Sequence, residues 1–147
     1  MTAARVLVTG SRRWSDQVAV AAALFECWYD ALQDGFDGIV VVQGGADGAD
    51  GLAESWAVQH RGLGVSSELV PAVWEACGPE CRPGHRRVRR GGGEYCPTAG
   101  HRRNQLMVDR GAALCLAFPL GASTGTRDCM ARAAAAGIPV RDLGAQR

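Results

Sequence analysis

Cys77, Cys81, His85 and Cys96 form the pattern C-x3-C-x3-H-x10-C in a stretch otherwise rich in glycine, proline and arginine. Three thiolates and one imidazole are the donor set of a closed, tetrahedral structural zinc site, with no open position for catalysis. Between Cys77 and Cys96 the only sizeable apolar side chains are Val88 and Tyr95. Such a segment cannot bury enough to offset an ordering cost of roughly 1–2 kcal/mol per residue, and a metal would supply the deficit. His101 is a substitute nitrogen donor. Cys27, Cys115 and Cys129 sit in apolar patterns and read as buried thiols. The N-terminus has no signal-peptide layout, so a cytoplasmic location is expected, which disfavours disulfides.

A second group of residues suits anion binding. Ile39–Gly48 reads IVVVQGGADG and continues into Ala49-Asp50, so a short β-branched run gives way to a glycine-rich turn. Ala49, Leu52, Ala53, Trp56 and Ala57 then fall on one helical face. Bare backbone at Gly44, Gly45 and Gly48 can approach a ligand, or can serve only to make the turn tight. Asp47 is expected to N-cap the helix and Asp50 to favour its dipole, with a ribose hydroxyl as the alternative partner of either. The stretch lacks the GK[ST] ending of a P-loop and the order of a GxGxxG fingerprint. Gly10-Ser11-Arg12 follows another apolar run, and the Arg12 guanidinium could fork onto a phosphate. Ser123, Thr124, Gly125 and Thr126 offer hydroxyls and N–H groups at a further helix start, as a phosphate cradle or as simple caps. Trp14, Trp28 and Trp56 read as packing residues, while Trp14 and Trp74 are the two able to stack on a base.

These residues need a frame. Arg5–Thr9, Ile39–Val42, Val65–Val70, Ala113–Phe118 and Ile138–Asp142 read as strands. A first helix is expected after an N-cap at Ser15, with Val18, Ala21, Phe25, Trp28 and Leu32 on one face and Gly35 ending it. Ala99–Arg110 and Thr126–Ala136 are further helices. The alternation predicts one α/β domain over residues 1–147, a Rossmann-like, doubly wound parallel sheet in strand order 3-2-1-4-5. Residues 75–98 form a Cys/Arg-rich insert, a candidate zinc knuckle. In that order the loops after strands one, two and four converge on one crevice at the strands' C-terminal ends.

VTGSRRW, QGGADGADGLAESWA, AGHRRNQLMVD and AFPLGASTGT followed by AAGIPV resemble the YspA-like (YpsA-related) branch of the SLOG superfamily. The likeness runs from Arg5 to Val140 outside the insert. It implies a Rossmann-like fold and a nucleotide-type ligand such as AMP, ADP-ribose or an NAD-like molecule, with Arg103 and Asn104 closing the site. It also implies a homo-oligomer. Relatives include the LOG phosphoribohydrolases, whose PGGxGTxxE motif carries a catalytic glutamate. Aligning Gly125-Thr126 with that GT places Cys129 at the glutamate position, so no catalytic residue carries over. A sensor and a weak phosphoribosyl or glycosidic hydrolase remain open as readings.

Charge raises a different class of function. All 16 basic residues are arginine, against 15 acids, and seven of the arginines lie between residues 82 and 103. Arg86, Arg87, Arg89 and Arg90, together with the likeness to DprA, admit sequence-nonspecific nucleic-acid binding. No apolar run reaches membrane-spanning length.

Overall fold

The computed structural model describes residues 2–144. Ala4–Gly10 (β1), Ile39–Gln43 (β2), Val65–Leu69 (β3), Leu114–Phe118 (β6) and Val140–Asp142 (β7) make one sheet in the order β3-β2-β1-β6-β7. Every pairing in it is parallel. The expected doubly wound sheet is therefore present, with its switch point between β1 and β6. The short strands β4 (Arg87–Val88) and β5 (Glu94–Tyr95) pair antiparallel as a hairpin within the insert.

Side-chain alternation along the strands divides the core in two. Val6 and Val8, Ile39 and Val41, and Leu116 and Phe118 face the helices α1 (Gln17–Gln33) and α2 (Ala49–Gln59). Leu7, Val42 and Cys115 face the opposite way, toward Met107 and Val108 of α3 (Ala99–Asp109) and Cys129 and Ala133 of α4 (Thr124–Ala135). Burial on both sides explains why the strands read as unbroken apolar runs. No helix among the described residues is long and apolar enough to cross a membrane.

Two local expectations are corrected. The N-cap of α1 is Asp16, whose carboxylate accepts the Ala19 N–H at 3.0 Å. Ser15 is displaced because Trp14 is drawn into the core, edge-on to Phe118, and its indole donates to the Asp16 carbonyl. The buried stripe of α1 is Val20, Ala23, Leu24, Cys27 and Ala31, whereas Val18, Phe25 and Leu32 are exposed. Both faces of this helix carry apolar residues, and the smaller set fits closest to the sheet. Phe25 and Trp28 instead meet Trp56 and His60 of the neighbouring segment. Gly35 does end α1: it takes φ +93°, and the Phe36 N–H reaches back to the Ala31 carbonyl.

Candidate functional site

The loops after β1, β2 and β6 meet above the switch point and are tied together by backbone. Ser11 donates its N–H to the Phe118 carbonyl at 3.0 Å and accepts the Ala49 N–H at 3.3 Å. Its hydroxyl accepts the Arg13 N–H. Gly10 packs against Ala49 with no room for a Cβ, and Gly48, at φ +75°, presses on the Ser11 carbonyl. These two glycines let the loops approach one another. Gly44 is likewise covered by the Arg103 guanidinium, which donates to its carbonyl at 2.8 Å.

Asp50 is the centre of this arrangement. Its Oδ2 accepts the N–H groups of Gly44 and Ala46, both at 3.2 Å, so it clamps the β2 loop. Asp50 is 5 % exposed, and its Oδ1 has no hydrogen-bond partner among the described residues. Burial pushes the carboxyl up to about 6, against the opposing pull of the Ala46 N–H and Arg103. Asp47 does not cap α2: that place falls to Gly48, which has no side chain to offer, and Asp47 is exposed.

A cavity of about 360 Å³ opens here, within the range of small-molecule sites. Of the residues singled out from sequence, Gly10, Ser11, Arg12, Asp50, Arg103, Asn104, Ser123, Thr124, Gly125 and Thr126 line it. Gly44, Gly45 and Asp47 line a second depression that shares Arg12 and Arg103. Gly48 lines neither. Asn104 is buried and donates to the Gly125 carbonyl at 3.1 Å and to Asp128 Oδ2 at 3.0 Å, fixing α3 to the start of α4. Ser123 caps α4 in the left-handed region, at φ 41°, without a side-chain cap bond. The first-turn N–H groups of α4 therefore border the crevice, and nothing lies within 4 Å of where a Gly125 Cβ would sit.

Sequence reasoning missed part of the wall. Thr9, Pro97, Gly100 and His101 line the crevice. Trp74 does so too, and with Trp14 buried at 2 % exposure it is the one of the two stacking candidates that faces the cavity. His101 is not beside the cysteines: its Nδ1 is 2.8 Å from Asp128 Oδ1, across from α4.

The insert brings its four candidate ligands together. Their donor atoms all lie within 4.8 Å of one another. Cys81 and Cys96 sulfurs are 3.7 Å apart, and His85 Nε2 is 3.2 Å from Cys77 and 3.6 Å from Cys96. Metal–sulfur bonds of about 2.3 Å at tetrahedral angles would place two sulfurs about 3.75 Å apart, so the donors fit such an ion. All the cysteines are free thiols. Arg102 donates to Cys81 and Cys96, each at 3.4 Å, and Arg86 to Cys77 at 3.3 Å. Burial pushes the Cys96 thiol up, but hydrogen bonds from Thr98 and Arg102 outweigh it and bring it down to about 6. These two arginines are thus committed to the sulfurs rather than to the crevice. They would offset the net negative charge of three thiolates around a divalent ion. The Cys96 N–H bonds the Trp74 carbonyl at 2.7 Å, which joins the cluster to the crevice wall.

Fold and crevice define a Rossmann-like α/β protein with a cavity at the switch point. The chain belongs to the YspA, cpYpsA-related SLOG family (YAcAr), whose model matches residues 4–76. It is similar to the Gene 61 protein of Mycobacterium phage D29, 44% identical over 142 residues, covering 95% of this chain and 96% of that one. Among solved structures it is similar in fold to TM1055, with a TM-score of 0.54 at 21% identity, over 95% of this chain and 72% of that one.

Proposed function

We propose that the crevice binds a nucleotide or nucleotide derivative, with AMP, ADP-ribose and NAD-like molecules as the ligand class. The observation that carries this reading is the meeting of opposite charges in one cavity. The first-turn N–H groups of α4 with Arg12 and Arg103 suit a phosphate. Asp50, close enough to both arginines to feel their charge, lines the same cavity with an Oδ1 that has no partner among the described residues, and suits a ribose hydroxyl. Trp74 offers a face for the base. Cys77, Cys81, His85 and Cys96 would hold a zinc ion that fixes the insert and gives it structure, without chemistry of its own. Melting the protein with AMP, ADP-ribose, NAD and nucleotide sugars tests the reading: binding at 100 times Kd raises stability by about 2.7 kcal/mol. No shift with any of them rejects it.

A second reading, phosphate-backbone binding by the insert, has a narrower base. Arg86 is held by Glu94, the Glu75 carbonyl and Cys77, and Arg89 lies near Glu75 and over the Tyr95 ring. Arg87 and Arg90 remain exposed on the hairpin for a nucleic acid. Affinity for single-stranded or duplex DNA that falls steeply with salt would favour it.

A further inference from the structure

His101 and Asp128 carry an inference that rests on the nucleotide reading and deepens it. His101 lies in the first turn of α3, half-exposed on the crevice wall. Its partner Asp128 is held from several sides. Oδ2 accepts Asn104 Nδ2 at 3.0 Å and Arg132 Nε at 2.9 Å, and Arg132 Nη1 is itself fixed on Gln105 Oε1 at 2.9 Å. Burial opposes ionisation of Asp128, but Arg132, Asn104 and His101 prevail and keep the carboxyl below its usual range. An ionised Asp128 on Nδ1 makes that nitrogen the N–H donor, which leaves Nε2 as the free acceptor. Nε2 has no protein partner among the described residues. A base with its orienting carboxylate therefore stands beside the α4 N-terminus and in the same cavity as Arg12 and Arg103.

We propose that His101 is the general base of a hydrolytic site, positioned by Asp128, and that its substrates are nucleotides containing a phosphoric anhydride, the class to which ADP-ribose belongs. Nε2 takes one proton from a water molecule as the water oxygen bonds to an anhydride phosphorus. The bond from that phosphorus to the bridging oxygen breaks, and its electron pair leaves with the second phosphate. Two phosphate monoesters result, and the proton on His101 passes to solvent. The leaving phosphate departs as an anion that Arg12 and Arg103 neutralise, so this cleavage needs no general acid. AMP has no anhydride and is bound without being cleaved.

The test measures binding of ADP-ribose by calorimetry and its conversion to AMP and ribose 5-phosphate by phosphorus NMR, on the full chain. The wild type should bind and turn over. His101→Ala, with His101→Gln as a second variant should the first not fold, should still bind while turnover falls ~100-fold or more. Asp128 alone touches the ring, so Asp128→Asn should lower kcat while leaving KM for ADP-ribose about unchanged, because the asparagine no longer fixes Nδ1 as the N–H donor. Binding without turnover in the wild type overturns the inference and leaves the nucleotide site standing. Absence of binding overturns both. Undiminished turnover in a folded His101 variant removes His101 from the role, and an unchanged kcat in Asp128→Asn removes Asp128.

Discussion

Replacing Asp50 by asparagine should stabilise the protein at neutral pH while weakening the site. The folded protein holds this carboxyl at about 6, against an ordinary 3.8. The folded state thus binds a proton more readily than the unfolded chain between those two values. Stability from this group is fully present below pH 4 and is lost as pH rises through about 6. The rise from 3.8 to about 6 corresponds to about 3 kcal/mol, an upper figure because the asparagine amide inherits a buried position with no acceptor of its own. The substituted side chain can keep accepting the Gly44 and Ala46 N–H groups through its carbonyl oxygen. Urea unfolding of wild type and Asp50→Asn from pH 4 to pH 8 reads the difference, in which other titrating groups cancel. The variant's advantage should be near zero or negative at pH 4 and grow to about 1–3 kcal/mol above pH 7. A flat difference, or a wild type more stable than the variant at pH 8, would refute the reasoning.

Other outcomes follow from the same contacts. Elemental analysis of protein purified without added metal should find about one zinc per chain, and chelation should abolish amide protection across residues 77–96 while the central sheet stays folded. Asn104→Ala removes two part-buried hydrogen bonds between α3 and α4 and should lower stability by about 1–3 kcal/mol in urea titration. AMP should release no free base at ordinary enzyme rates of ~1 per second, because Cys129, at the aligned glutamate position, is fully buried beneath the crevice. Base release at that rate would assign the chemistry to another carboxylate.

The sheet was legible because its strands are buried on both faces and so stand out as β-branched runs between glycine-bearing turns. Their order then placed three loops at one crevice, which is why ten of the residues chosen from sequence line a single cavity. Helix faces and caps were harder. α1 is apolar on two sides, and only the size of the gap above the sheet selects Ala23 and Ala31 over Phe25 and Leu32. Asp50 read as a dipole partner because its clamp on Gly44 and Ala46 exists only once the β2 loop folds back on α2. The pairing of His101 with Asp128 depends on α3 packing against α4, a contact between segments that no local spacing reports. The Cys/His cluster of the insert was visible because donors that could hold a metal leave their spacing in sequence. The β4–β5 hairpin was not, since two-residue strands have no periodicity to read.

Gly125 offers the most direct test of the nucleotide site. A Cβ there finds no heavy atom of another segment within 4 Å, and Gly125 lines the cavity at the α4 N-terminus where the phosphate is proposed to sit. Gly45 is a poorer probe, because φ +81° and Leu69 Cδ1 at 2.7 Å would strain any substitution. Calorimetric titration of ADP-ribose into wild type and Gly125→Val, with melting temperatures measured alongside, separates binding from folding. The wild type should bind, and the variant should melt within a few degrees of it yet lose affinity ~100-fold or more, about 2.7 kcal/mol. Equal affinity in a folded Gly125→Val protein would contradict the placement of the ligand in this crevice.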